Sequence, residues 1–178
     1  CVLPKHNSRV RFPLPAPNFM KIVYSSPIGK IMIESDGKSL KKLYFLSDNM
    51  DCAAQSDEDE VLKKTKTWLD AYFAGKRPLL DFDIDPSGTP FQKAVWKFLC
   101  DIPYGETTTY GEIAKSVAHL LGKEKMGARA VGRAVGSNPI SIIIPCHRVL
   151  GANGALTGYA WGLERKIKLL DLEKANKE

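Results

Sequence analysis

No apolar run in this sequence reaches the roughly 18 residues that a membrane-spanning helix needs, so nothing in it reads as a span. Cysteine is sparse. Four are scattered at positions 1, 52, 100 and 146, with no CxxC pair and no spacing that suggests a disulfide framework or a zinc site. Such usage fits a reducing, intracellular setting. There are no internal repeats. Acid is absent from residues 1–19, which hold three Lys/Arg, four prolines and no hydrophobic period. They also lack the apolar core of a secretory signal. Natural translation is expected to start at Met20, with residues 1–19 an extension; an organelle transit peptide is the other reading.

What is present is ordinary for a soluble globular protein: 44% hydrophobic and 26% charged residues in a chain of 178. That length suits one domain, or two small ones sharing an interface. The net charge of +6 is uneven. Residues 20–85 carry 10 basic and 12 acidic side chains, whereas residues 86–178 carry 13 and 8. A basic second half suggests an anionic partner, nucleic acid first; solubility alone is the plainer explanation.

Met20 to Leu46 reads as short β-rich strands, MKIVYSS, GKIMIES and LKKLYFL, split by Pro27-Ile28-Gly29 and by the hairpin signal Asp36-Gly37. Residues 47–56 read as loop and 57–75 as a helix, with Trp68, Leu69, Tyr72 and Phe73 as its apolar stripe. LLDFDID alternates like a further strand, and Pro86-Ser87-Gly88 marks a domain boundary. Thr89 and Thr109 open two helices with capping boxes, closed by Gln92 and Glu112. Ile113, Ala114, Val117, Leu120 and Leu121 give the second its inner face. A third, short helix spans 126–138, SIII reads as a buried strand, a Gly-rich segment resembles a hairpin, and a last helix begins near Leu163. Helix, helix, turn, helix and strands outline a winged helix-turn-helix.

Two stretches suggest chemistry. Helix 126–138 is crowded with Gly and Ala, which cost helix stability but let a backbone press into a groove. Arg129 and Arg133, four apart, share one face, with Val131 and Val135 on another. Tight helix packing with solvated arginines explains the pattern equally well. In Pro145-Cys146-His147-Arg148, proline ends the apolar run and leaves Cys146 at the mouth of a rigid element. Neighbouring side chains of an extended chain point apart, so His147 would take the thiol proton through a water. In the last helix Leu163, Ile167 and Leu170 form an apolar stripe. Glu173 sits at the edge of the buried face, a weak candidate to orient His147. Cys100, beside Phe98 and Leu99, reads as core, and Cys52 as inert in a polar loop.

Pro145-Cys146-His147-Arg148-Val149 resembles the active-site signature of the O6-alkylguanine-DNA alkyltransferases. Gly105-Glu106 with Thr109-Tyr110, Arg129-Ala130-Val131-Gly132, Ser137-Asn138-Pro139, and Gly158-Tyr159 with Gly162-Leu163 fall in the same family order. The likeness covers residues 88–173 closely and the strands from Met20 more loosely. It implies an α/β (α+β) fold. A small strand-rich domain with one helix and a ribonuclease H-like or ferredoxin-like sheet would span 20–86. A winged helix-turn-helix DNA-binding and alkyl-acceptor domain would span 87–178. It implies single-turnover direct repair of O6-alkylguanine, and of O4-alkylthymine with less support. The protein would act as a monomer on the minor groove of duplex DNA, with the damaged base flipped out. Cys146 would be nucleophile and acceptor, His147 a water-mediated base, Glu173 its orienter, and Tyr110 the proton donor to guanine N3. Asn138 would tie the active-site turn. Val149, Gly158, Tyr159 and Ala160 would bind the base, and Arg129, Ala130, Arg133 and Tyr110 the DNA. Neither cofactor nor metal is expected, since residues 20–85 hold one cysteine and no histidine. Some relatives have serine where Ala160 stands; its backbone N–H can still meet O6, so activity is expected, with a different tolerance of bulky adducts. Trp161 stands where it would narrow the pocket entrance. The protein would work in the cytoplasm of a prokaryote, at the nucleoid, or in the nucleus of a eukaryote.

Three other classes compete. A non-catalytic lesion binder with this module would lack the acceptor cysteine. A Cys–His hydrolase would need an oxyanion hole and no arginine-bearing Gly/Ala helix. A winged-helix regulator would read the major groove with polar side chains, which the 126–138 helix lacks.

Overall fold

The computed structural model describes residues 19–47 and 59–177. Cys1, Cys52 and the expected loop from 48 onward lie outside the described residues. Three strands, β1 (Met20–Ser26), β2 (Gly29–Ser35) and β3 (Ser39–Phe45), form an antiparallel meander. The Asp36-Gly37 turn forms because Asp36 Oδ1 accepts from the backbone of Lys38 and Ser39, at 2.9 and 2.8 Å, while Gly37 supplies a φ of 86°. Of LLDFDID only β4 (Asp83–Ile84) is a strand, paired parallel to β3. The sheet order is β1-β2-β3-β4. Helix α1 (Glu60–Phe73), capped by Asp59, packs Val61, Leu62, Leu69 and Tyr72 against Ile31, Ile33 and Leu43.

The second half is helical. Helices α2 (Pro90–Cys100) and α3 (Tyr110–Leu120) both begin with the expected capping boxes. Helix α4 (Ala128–Gly136) buries Val131 and Val135 and leaves Arg129 and Arg133 exposed. Trp96 on α2 locks it in place by donating to Ala134 O at 2.8 Å. The wing is reduced to β5 (Thr108–Thr109) and β6 (Val149–Leu150), paired parallel, so the Gly-rich segment is not a hairpin. Helix α5 (Leu163–Ala175) closes the fold.

Several expectations fail in instructive ways. SIII is not a strand. Only Ile140 bridges the sheet, beside Leu43, with Ser141 N donating to Leu43 O at 2.7 Å. Ile142 then takes a left-handed φ of 69° and the chain coils. A short apolar run signals burial without specifying conformation. Helix α5 buries Lys166, Leu169 and Glu173, whereas Leu163 and Ile167 are exposed. Charged partners inside, not apolarity, chose its inner face. Leu120 and Leu121 are also exposed, because α3 ends there and turns away from the core. Cys100, at the last turn of α2, is exposed and not core.

Candidate active site

Cys146 begins a single 3₁₀ turn, Cys146–Arg148, immediately after Pro145. It is 7% exposed and opens onto a cavity of about 290 Å³ lined by Tyr110, Asn138, Gly158, Tyr159, Ala160 and Trp161 among others. The turn is held from behind by Asn138. Its Nδ2 donates to Ile144 O at 2.8 Å, and its Oδ1 accepts from Ile140 N at 3.0 Å. These bonds bracket the left-handed Ile142. A β-branched residue in that region costs on the order of 1–3 kcal/mol, so the surrounding contacts must over-determine it. Lys166, fully buried on α5, donates to Val149 O at 2.6 Å and to the carbonyls of Thr157 and Gly158 at 3.0 and 3.3 Å. It fastens the pocket loop to β6. Val149, expected against the base, is fully buried and is not among the residues that line the cavity.

His147 follows Cys146 around the turn and is fully buried. Its Nε2 lies 2.7 Å from Glu173 Oε1, and its Nδ1 has no hydrogen-bond partner among the described residues. Burial pushes Glu173 up, but donors from His147 and Arg148 outweigh it and hold the carboxyl well below its usual range. Glu173 is therefore ionised and can only accept. Nε2 must carry the proton, and Nδ1 presents a lone pair. Burial lowers the imidazole pKa, helped by the charges of Arg148 and Lys166 and opposed by Glu173. The result is a neutral ring with its acceptor nitrogen free. Burial likewise pushes the Cys146 thiol up, while Asn138, the Cys146 backbone, Lys166 and Tyr159 pull weakly the other way. The Tyr159 hydroxyl is influenced by the sulfur's charge, yet it makes no hydrogen bond of ordinary geometry. The resting sulfur is a protonated thiol that needs a base.

The sequence reading missed most of what holds Glu173. Arg148 grips it with two nitrogens, Nε to Oε2 at 2.8 Å and Nη2 to Oε1 at 2.9 Å. Gly105 N donates to Oε2 at 3.0 Å. Tyr72, from α1 in the other half of the molecule, donates its hydroxyl to Oε1 at 2.7 Å. Arg148 stood in the quoted run without a role. Lys166 and Glu173, seven apart on one helix face, were a readable sign of buried charge. Nothing local marks Tyr72, which sits in an apolar stripe and reads as packing.

Outside the cavity, Tyr110 at the start of α3 and Arg129 and Gly132 on α4 line a shallow groove that also reaches Ala152. Arg129 and Arg133 are exposed and Ala130 is partly buried. A neighbouring depression is lined by Lys115, Lys123 and Lys125 together with one acid, Glu124. A low-profile, cationic face thus surrounds the mouth of a pocket that ends in a thiol.

Family models recognise both halves: the ribonuclease-like domain of 6-O-methylguanine DNA methyltransferase over residues 20–86, and its DNA-binding domain over residues 90–175. The chain belongs to this family. It is similar to the methylated-DNA–protein-cysteine methyltransferase of Methanosarcina mazei, 48% identical over 86% of this chain and 96% of the relative. The Mycobacterium tuberculosis enzyme of the same name is 44% identical over 84% of this chain and 89% of the relative. The crystal structure of the Mycobacterium tuberculosis O6-methylguanine methyltransferase superposes with a TM-score of 0.76 at 42% identity, covering 89% of this chain and 94% of that one. A second structure of that protein, in complex with DNA, gives 0.75 at 44% identity, covering 86% and 92%. In this member of the 6-O-methylguanine DNA methyltransferase family the two halves meet at the Glu173 carboxylate, through Tyr72.

Proposed function

We propose that the protein repairs alkylated DNA directly, moving the alkyl group of O6-alkylguanine to the sulfur of Cys146. The observation that carries this reading is a buried thiol at the floor of a cavity, one residue from a neutral imidazole that a locked carboxylate orients. Duplex DNA approaches the cationic face of α4 by its minor groove, bound by a single copy of the protein. The Gly/Ala surface of α4 lets the backbone sink in, with Ala130 at the contact and Arg133 on phosphate. Arg129 enters the stack in place of the damaged base, which swings into the pocket. There it lies against Tyr159, Gly158 and the backbone of Ala160.

The displacement then balances. The Cys146 proton passes through a water to His147 Nδ1, and the sulfur forms a bond to the alkyl carbon as the carbon–O6 bond breaks. The electron pair returns to the purine, and guanine N3 takes a proton from Tyr110. Burial, then the sulfur's charge, pushes that phenol up, so it keeps its proton until the purine turns basic. Guanine leaves neutral. The imidazolium and the phenolate re-equilibrate with solvent. The thioether is stable, and among the described residues no second group is poised to remove it, so each chain reacts once. O4-alkylthymine is a second substrate of the same chemistry. The setting is wherever the DNA lies, the cytoplasm of a prokaryote or the nucleus of a eukaryote.

The test uses duplex DNA carrying O6-methylguanine with a labelled methyl group. Label should end covalently on the protein, one per chain, and not at all on Cys146→Ser. Label released to solvent, or left on the DNA, overturns the reading.

A further inference from the structure

The carboxylate behind His147 is shared by an element that a search for catalytic residues passes over. Oε1 of Glu173 accepts from three donors: His147 Nε2 at 2.7 Å, Arg148 Nη2 at 2.9 Å and Tyr72 Oη at 2.7 Å. Tyr72 is 1% exposed, and its ring cannot swing. Trp68 stacks on it at 5.3 Å, and Phe73 and Tyr104 meet it edge-on at 5.4 and 6.1 Å. A tyrosine needed only for packing has no reason to aim its hydroxyl at the one carboxylate that orients a base.

We propose that Tyr72 is a positioning residue of the proposed alkyl transfer: its hydroxyl fixes the Glu173 oxygen that His147 uses and limits the negative charge that oxygen presents to the imidazole. This rests on the reading of His147 as the base. Each donor to a carboxylate oxygen stabilises the charged form, and so leaves that oxygen a weaker base toward the other donors. With the tyrosine in place, Glu173 orients the ring without stabilising the imidazolium so strongly that Nδ1 is protonated at rest. Every group around His147 bears on that balance. Glu173 and Lys166 face it from α5, and Cys146 and Arg148 flank it on the turn. Tyr72 adds its hydroxyl from α1. Tyr104, after α2, lies beside Tyr72 and under Arg148, whose guanidinium carbon is 5.6 Å from its ring centre. Of these, only the phenol of Tyr72 donates to the shared oxygen from the first half of the chain. Burial, and next the charge of Glu173, pushes its pKa well up, so it stays a donor across the working range.

The experiment compares the full-length protein with Tyr72→Phe, which keeps the ring and removes the donor. Methyl transfer from O6-methylguanine DNA is timed from acid to alkaline pH, and the His147 nitrogens are titrated by NMR. Tyr72→Phe should move the acid limb of the rate profile, and the His147 titration, to higher pH. The rate at neutral pH should fall about three- to tenfold, a small part of the roughly 10²–10⁴ that a general base contributes. Placing 3-fluorotyrosine at position 72 gives a stronger donor in an unchanged fold and should move both in the opposite direction. It serves also if the phenylalanine variant folds poorly. Profiles and titrations that overlay the wild type for both replacements would reduce Tyr72 to packing. If the wild type transfers no methyl group, the functional reading fails separately, and the NMR titration still decides whether Tyr72 sets the basicity of His147.

Discussion

Arg148 is 8% exposed, and each of its three guanidinium nitrogens makes a hydrogen bond. Nε and Nη2 hold Glu173, Nη1 donates to Ile102 O at 2.6 Å, and the plane lies over Tyr104. Replacing it with alanine takes the guanidinium partner from a buried carboxylate, which keeps only the donors of His147, Tyr72 and Gly105. Such a loss costs about 3–5 kcal/mol, and a lysine, lacking the planar fork, should recover only part of it. Urea titration of Arg148→Ala and Arg148→Lys checks both, and an alanine variant within 1 kcal/mol of the wild type, about the value of an exposed pair, would contradict the assignment. Cys146 and His147 were legible because a thiol beside an imidazole stands out in a chain with four cysteines and three histidines, whereas Glu173, one of 20 acids, was only a weak candidate by pattern and took its role from the family resemblance. Tyr72 and Arg148 were not, since a hydroxyl or a guanidinium acquires its role only from the oxygen it meets, 101 and 25 residues along the chain from Glu173.

Helix α4 separates two demands at the level of an element. Its inner face, Val131, Ala134 and Val135, is ordinary core; its outer face is Gly, Ala and two arginines. Arg129→Ala should slow transfer from duplex DNA far more than reaction with free O6-benzylguanine, because only the duplex leaves a gap to fill. Comparing the two rates checks this, and equal losses would remove Arg129 from the stack. The capped helix starts at Thr89 and Thr109 were visible in sequence because both partners of a capping box lie within four residues. The coil from Ser141 to Pro145 was not. Its shape is imposed by Asn138 and by the edge of β3, and the same four letters laid against a different edge would extend into a strand.

Over the whole molecule, acid should act through the same cluster. The unfolded chain binds a proton at His147 near pH 6.5 and at Glu173 near pH 4.5, whereas the folded chain resists both, its two pKa values being lowered. The unfolded state therefore takes up more protons as pH falls. Stability should be greatest above the histidine value and decline from there downward, with a second loss as Glu173 is reached. Urea midpoints between about pH 7 and pH 4 should fall with that sign; a flat or rising trend would show that the cluster titrates alike in both states. The two-part order of strands then helices was readable from period and punctuation. How the parts join was not, because the joint is made of isolated contacts.

Those contacts have a genetic consequence. Tyr44 stacks on Trp161 at 5.9 Å, Ser141 N donates to Leu43 O at 2.7 Å, and Arg165 Nε donates to Ile28 O at 3.1 Å. With Tyr72 on Glu173, the first half of the chain touches the pocket wall, the turn behind the sulfur and the acid behind the base. Inherited changes at these seam positions, remote in sequence from Cys146, should lower repair as well as stability. A map of harmful alleles would follow the seam between the halves and not the list of reacting groups.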